Sequence, residues 1–383
     1  MKRLVLAGGG HAHLSVLAQW AQQAPHGVET TLVTPDRYQY YSGMLPGFMA
    51  GHYTLEQCRV DLLPLAKRAG VTLVLARVAS LDAPGNTLTL SDGAQLQFDW
   101  LSLDVGSAVQ SQGLDALETV GVEYLPAKPL ASFFARWPQV LAAAHGQAHS
   151  SVAVVGAGAA GLELVLAAAL ALRASSSRVH LVGSDASFLA DHAPQVRSRA
   201  LAWLRKAGVQ WHAQRALSVV PPGEEQGGIA LDNGAVLRCS TVIATTGARS
   251  LAWLATSGLA TDAQGFVAVN AQHQSTSHPH VFAVGDCCAR VDVRLQRSGV
   301  HAVRVGPILA RNLRAAVVGG ALESYKPRKR SLYLLACGPR HAVASWGNWS
   351  AEGAWVWRWK DYLDRGFLRR FTFKNNAAVE GNP

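Results

Sequence analysis

Two glycine-rich turns carry the most readable chemistry in this chain. The first complete one is GAGAAG, Gly156 to Gly161, which follows the short β-branched run Ser151–Val155 and precedes the apolar stretch LELVLAAALAL. In such a turn the first glycine permits a tight bend and the second lets backbone N–H groups approach a pyrophosphate. The third allows close helix–strand packing, and the helix N-terminus adds partial positive charge for the phosphates. The stretch GGGHAH, Gly8 to His13, follows the apolar run Leu4–Ala7 and repeats the pattern, with His13 in place of the third glycine. A side chain there should push the helix away from the strand or point toward a ligand. Two such turns, each opening its own βαβ pattern, predict two dinucleotide sites.

Other residues fit around these turns. The strand Val281–Val284 ends on Gly285 and Asp286, where a carboxylate can accept a hydrogen bond from a ribityl hydroxyl while adjoining N–H groups face a phosphate. The strand Thr31–Val33 ends in Thr34, with Asp36 two residues on; a hydroxyl bonds a ribose more weakly than a carboxylate does. The strand Val179–Val182 ends in Gly183, Ser184 and Asp185, so Asp185 can serve a ribose, while Arg197 and Arg199 keep a 2′-phosphate open. Five cysteines, Cys58, Cys239, Cys287, Cys288 and Cys337, lack zinc spacing, so neither a metal site nor a disulfide scaffold is expected. Cys287 and Cys288 are adjacent; packing is favoured over a redox role.

These residues need elements to position them. A chain of 383 residues with 49% hydrophobic content can bury two domain cores. The strands FDWLSLDVGSAV, Phe98 to Val109, and VIATTGAR, Val242 to Arg249, flank the second turn and read as crossovers between domains. No apolar run approaches the ~20 residues of a spanning helix, and the first strand follows Met1 at once, so a cytoplasmic protein is expected. The net charge of +10 is carboxyl-terminal: 17 Lys or Arg against 6 Asp or Glu from Arg290 onward, with 18 against 19 before it. Such a tail could meet an anionic surface or form a solvated basic face; nucleic acid is not the partner expected.

The order GGGHAH, LSLDVGS, GAGAAG-LE, ATTGA, VFAVGD resembles the two-dinucleotide-binding-domain flavoproteins, the pyridine nucleotide-disulfide oxidoreductase superfamily. Within it, GGGHAHLSVL, YSGMLPGFMAGHY, the Lys128-Pro129 pair, HAVRVGPILARNLRAA and WKDYLDRGF resemble the branch associated with selenide, water dikinase, in its free-standing form. The resemblance implies an α/β fold with two Rossmann-like domains and a small carboxyl-terminal α+β segment. The expected divisions are residues 1–108 plus 244–322 for FAD, 109–243 for NAD(P), and 323–383 as an interface segment. It implies FAD at Gly8, Gly9, Gly10, His11, His13, Thr34, Pro46, Gly106, Gly247, Gly285, Asp286, Val303 and Gly306, and NADH or NADPH at Gly156, Gly158 and Gly161.

The disulfide reductases of that superfamily carry two cysteines near the second strand; YSGMLPG and the single Cys58 exclude such a relay here. The plan is then similar to type II NADH dehydrogenases and sulfide:quinone reductases, in which the match of Glu163 is an acid near nicotinamide and flavin. Simple helix stabilisation by an early glutamate stands beside that reading. A helix from about Val303, with Pro307 in its first turn, would aim its N-terminus at the flavin, while the quinone-facing glutamines fall on Val300 and Val305. The expected function is an FAD-dependent NAD(P)H oxidoreductase that passes hydride from nicotinamide to flavin and electrons to a quinone-like or other small acceptor. The alternatives are a reductase supplying reduced selenium or sulfur to selenide, water dikinase, and a flavin-binding scaffold without turnover.

Near the carboxyl end, Trp355, Trp359, Tyr362, Leu363, Phe367 and Phe371 recur at helical spacing as one apolar stripe, with Arg358, Lys360, Arg365 and Arg369 largely off it. Two fates are open for residues 353–373. The helix can pack on its own FAD domain or on a second subunit in a homodimer, which Gly366 favours. It can also lie in a bilayer interface, peripherally on the inner face of the membrane.

Overall fold

The computed structural model describes residues 1–146, 150–223, 226–295, 297 and 299–372; the last residues of the expected interface segment, 373–383, lie outside these. In chain order, the strands of its main sheets begin with β1 (Lys2–Ala7), β2 (Val28–Thr34), β3 (Thr72–Leu75) and β4 (Trp100–Leu103). They continue with β5 (Glu123–Pro126), β6 (Ser151–Val155), β7 (Arg178–Val182), β8 (Gln210–His212) and β9 (Thr241–Ala244). Then follow β10 (Val281–Ala283), β11 (Leu332–Ala336), β12 (Ala342–Trp346) and β13 (Trp349–Gly353). The helices that matter below are α1 (His11–Trp20), α2 (Leu45–Met49), α3 (Ala159–Ala171), α4 (Gly299–Val318) and α5 (Ala354–Arg369).

The first sheet runs β10-β4-β1-β2-β3 and the second β5-β9-β6-β7-β8, and every pairing in both is parallel. Parallel strands are covered on both faces, which is why β6 and β9 are apolar or small and buried at every position. The two sheets share one plan. In each, an antiparallel meander, 78–97 in the first and 216–238 in the second, separates the outer strand from the strand that returns beside the first. The strand order therefore reverses beside β1 and beside β6, the switch points at which open α/β sheets bind ligands. Between the sheets the chain crosses twice, and there Ala108–Val109 pairs antiparallel with Ala248–Arg249.

The carboxyl-terminal strands form an antiparallel meander, β11-β12-β13, covered by α5. A continuous apolar core joins the first sheet to this cap, through Leu14, Met44, Phe134, Leu164, Leu335 and Phe367 among others. Among the described residues no helix is long and apolar enough to cross a membrane.

Two expectations need correction. The helix expected from about Val303 begins at Gly299, so Pro307 lies in its third turn rather than its first. Its buried face already includes Ala302, upstream of Val303, and this packing outweighs the hydrogen bond that proline removes. The single aromatic stripe on α5 is split. Val356, Asp364, Phe367, Leu368 and, beyond the helix, Phe371 are buried, whereas Trp355, Trp359, Tyr362 and Leu363 are 48%, 37%, 71% and 45% exposed. Lys360 and Asp364 can occupy the inward face because they pair with each other there, Nζ to Oδ2 at 2.9 Å.

Candidate active site

The turn between β6 and α3 has the geometry its glycines predict. Gly156 takes φ +118°, and a Cβ on it would stand 2.4 Å from Thr245 Oγ1. A Cβ on Gly161 would stand 1.7 Å from the Gly156 carbonyl oxygen, so this position admits no side chain. Gly158, the N-cap of α3, is different: nothing lies within 4 Å of where its Cβ would be. That open space is a cradle in front of a helix N-terminus, whose unpaired N–H groups and dipole attract a diphosphate. At the end of β7, Arg197 Nη2 donates to the Asp185 carbonyl at 3.1 Å, while Arg199 is engaged elsewhere, bonded to Glu352 at 2.7 Å.

The turn between β1 and α1 is more crowded. Gly8 takes φ +97°, and a Cβ on Gly9 would meet Leu62 Cδ1 at 2.8 Å and Thr34 Oγ1 at 3.0 Å. Thr34 itself is buried and donates to the Asp36 carbonyl at 3.3 Å. No acceptor among the described residues takes the N–H of Gly9, Gly10 or His11. The ring of His13 lies in the helix–sheet seam, Nδ1 2.6 Å from the Gly8 carbonyl and Nε2 2.8 Å from Ser102 Oγ. Burial lowers its pKa to about 4, so the ring is neutral. The carbonyl can only accept, which makes Nδ1 the donor and leaves Nε2 to accept from Ser102.

Asp104, one residue past β4, is the group sequence reasoning passed over, although LSLDVGS displayed it. Parallel pairing of β4 with β1 sets it beside the turn, where its Oδ2 accepts from the N–H of Ala12 at 2.8 Å and of His13 at 3.1 Å. It is buried, and desolvation raises its pKa to about 7 against the two N–H bonds, with Asp286 pushing the same way as burial.

Next along are Gly285, at φ +69°, and Asp286, whose Oδ2 accepts from Lys128 Nζ; that ammonium also donates to Ser107 Oγ at 2.9 Å. Gly106 and Gly247, at φ +71° and +107°, have open space where a Cβ would stand. His11, at the start of α1, packs its ring 5.5 Å from Tyr41 and 5.9 Å from Phe367. Burial lowers it to about 4, with Asp286 and Lys128 acting in opposite senses. Gly299, the first residue of α4, places its Cβ position 3.5 Å from Ser42 Oγ. Val303 is only partly buried against the core, and Gly306 serves packing: a Cβ there would strike Ser15 Oγ at 2.6 Å, where α1 crosses α4.

Pro46, buried in α2, belongs to a segment that packs on α3, the helix of the second turn. This junction holds Glu163, whose Oε1 accepts from Ala336 N at 2.8 Å. Lys360 arrives from α5, donating to Asp364 and, at 2.8 Å, to the Gly43 carbonyl. Desolvation lowers Lys360, yet Asp364 and Glu163 together hold it above its ordinary value. Burial raises both carboxyls, and burial together with Asp364 raises Tyr41. Two carboxyls around one ammonium make a cluster that retains a proton readily. WKDYLDRGF carried its signal, a Lys–Asp pair four residues apart inside an aromatic helix.

All five cysteines are free and buried, and burial pushes Cys58, Cys239 and Cys287 up to about 12. None has the exposure or thiolate character of a redox-active thiol. Among the described residues no group of three or more His, Cys, Asp or Glu side chains could hold a metal ion.

Known proteins resemble this chain in sequence and fold. The sequence profile of the pyridine nucleotide-disulphide oxidoreductase family matches residues 2–309. An NADH dehydrogenase-like protein of Mycobacterium tuberculosis is 28% identical over 306 residues, 76% of this chain and 74% of that protein. The sulfide:quinone oxidoreductase of the hyperthermophilic bacterium Aquifex aeolicus superimposes with a TM-score of 0.78 at 14% identity, over 97% of this chain and 91% of that one. A ferredoxin reductase of Rhodopseudomonas palustris does so with a TM-score of 0.73 at 23% identity, over 90% and 82%.

Proposed function

The chain belongs to the pyridine nucleotide-disulphide oxidoreductase family, and on that premise we propose that it is an FAD-dependent NAD(P)H oxidoreductase that hands electrons to a quinone-like or other small acceptor without a redox disulfide. The observation that carries the reading is the junction of the two turns. The Tyr41–Met49 segment of the first half packs on α3, and Tyr41, its ring against His11 of the first turn, lies within electrostatic reach of Glu163 and Asp364. FAD, when bound, supplies an acceptor for the nicotinamide hydride and a donor to the final acceptor.

The residues divide the work. The α3 N-terminus beside Gly158 holds the diphosphate of the nicotinamide nucleotide, and the free N–H groups of Gly9, Gly10 and His11 hold that of FAD. Asp286 accepts from a ribityl hydroxyl while Lys128 keeps it oriented. The N-terminus of α4 beside Ser42 lends partial positive charge to the flavin. Glu163, Lys360 and Asp364 orient the reacting end and keep a proton at hand on a carboxyl oxygen, while α5 and β11 exclude water.

A second observation favours a lipid-soluble acceptor. Trp346 and Trp349 on the β12–β13 hairpin are 49% and 46% exposed, and Trp355, Trp359, Tyr362 and Leu363 of α5, which packs on those strands, face outward as well. Aromatic rings with arginines alongside suit the interface of an anionic bilayer. The sequence resemblance adds a narrower class, selenium or sulfur species passed to selenide, water dikinase. The test is turnover: full-length protein supplied with NADH or NADPH should reduce a short-chain quinone. Reduction of selenium or sulfur species alone would move the function to the narrower class, and no turnover with any acceptor would favour a scaffold.

A further inference from the structure

The two glycine turns also differ in what surrounds their second glycine. Nothing stands within 4 Å of the Cβ position on Gly158, whereas on Gly10 that position is 2.3 Å from Asp104 Cγ and 2.4 Å from each of its oxygens. The second glycine of the pattern is the one over which a diphosphate approaches. In the first turn a carboxylate therefore stands in the approach. It is built in: the Asp104 N–H donates to the Ala7 carbonyl, its Oδ2 holds the N–H groups of Ala12 and His13, its Oδ1 lies 2.8 Å from the Cβ position of Gly285, and the residue is 5% exposed.

We propose that Asp104 meets the FAD diphosphate as the neutral carboxylic acid, so that binding at the α1 turn takes up one proton from solvent. This rests on reading that turn as the FAD site. As an anion Asp104 would share the helix N-terminus with the diphosphate and repel it in a water-poor setting, with Asp286 adding a second negative charge. As the acid it keeps accepting from Ala12 and His13 through one oxygen and offers an O–H to a phosphate oxygen through the other.

The groups that face Asp104 leave it as the proton's site. His11 and His13, from α1, are held at about 4 by burial and are neutral throughout the working range. Cys287 and Cys288, after β10, are pushed by burial up to about 12 and well above the ordinary thiol range. Asp286 is bound to Lys128 as an ion pair. Burial already holds Asp104 itself at about 7, and a diphosphate diester has no proton to exchange near neutrality. Binding through the acid form fixes the sign: FAD affinity is complete below Asp104's own value and falls as pH rises through it.

The test is FAD binding to the full chain, followed by flavin fluorescence from about pH 6 to 9, with calorimetry in two buffers of different ionisation heat to count protons. Expected for the wild type is a Kd nearly flat below about pH 6.5 that steepens toward tenfold per pH unit above about pH 8, with proton uptake approaching one per FAD. Asp104→Asn keeps an acceptor for Ala12 and His13 and adds an N–H donor. Its Kd should be flat with pH and roughly 100-fold tighter than wild type near pH 9. A wild-type Kd that does not change with pH and carries no proton uptake overturns the proposal, whatever the variant does. So does an Asp104→Asn protein that keeps the wild-type slope. Failure of both proteins to bind FAD at any pH instead overturns the reading of the turn as an FAD site, and the proposal falls with it.

Discussion

Gly158→Val and Gly161→Ala should fail in opposite ways although they are three residues apart. Gly158 has φ −79° and ψ −172°, extended backbone open to any residue, and no atom within 4 Å of its Cβ position. A side chain there costs little more than the N-cap preference, about 0.5–1 kcal/mol, a melting shift of roughly 1–3 °C. It does fill the cradle. Losing two charge-assisted hydrogen bonds at about 1.5–3 kcal/mol each weakens NADH or NADPH binding roughly 10²- to 10⁴-fold. A Cβ on Gly161 lies 1.7 Å from the Gly156 carbonyl oxygen and 3.0 Å from Thr245 Oγ1, so helix and turn must part. Overpacking of this kind costs about 1–3 kcal/mol. Thermal melts of each variant, and stopped-flow reduction of the bound flavin at increasing nucleotide, measure the two quantities. A folded Gly158→Val protein that binds nucleotide as wild type does would refute the cradle, and equal thermal losses in the two variants would refute the geometry that separates them.

Gly10→Ala should lose FAD and about 1–3 kcal/mol of stability, because its methyl meets the Asp104 carboxylate. Adding Asp104→Ala should recover stability, and a double variant as unstable as the single would contradict the overlap. Lys360→Met should cost about 3–5 kcal/mol near pH 8 by stranding Asp364 and Glu163. Burial raises both acids above their unfolded values, so their protonated forms favour the fold and that contribution fades as pH rises. Urea melts should therefore find a smaller loss near pH 5, and an equal loss at both values would speak against the cluster. Trp355→Ala with Trp359→Ala should change stability by roughly 1 kcal/mol or less at exposed sites, yet reduce cosedimentation with anionic vesicles. Wild-type protein that never binds such vesicles at low salt would remove the membrane contact.

What the sequence made legible is local. Gly156, Gly158 and Gly161 could be read because they share one six-residue turn, in which Gly161 closes on the Gly156 carbonyl, even though Thr245 also crowds Gly156 from 89 residues away; β6 could be read because a strand covered on both faces has no polar side to hide. His13 was visible as a departure from the pattern, but its ring is satisfied by Ser102, 89 residues away, which no local spacing announces. Asp104 stayed unread for the same reason: its role arises only when β4 lies against β1 and carries it to Gly10. On α5 a helical wheel sorts by polarity and sets Lys360 outside. The structure sorts by pairing, and Glu163 and Asp364 supply the charges that let an ammonium face inward. For Gly306, read as a ligand contact, the structure adds a second reason for glycine in the close approach of Ser15, 291 residues away.

The central claim is that nicotinamide nucleotide at the α3 turn reduces flavin held at the α1 turn. Anaerobic titration of the purified protein with NADH, and separately with NADPH, tests it directly through the visible absorbance of the flavin. The account predicts stoichiometric bleaching by at least one nucleotide, and recovery of the absorbance when an electron acceptor is added. A flavin that dithionite bleaches but neither nucleotide touches would contradict it.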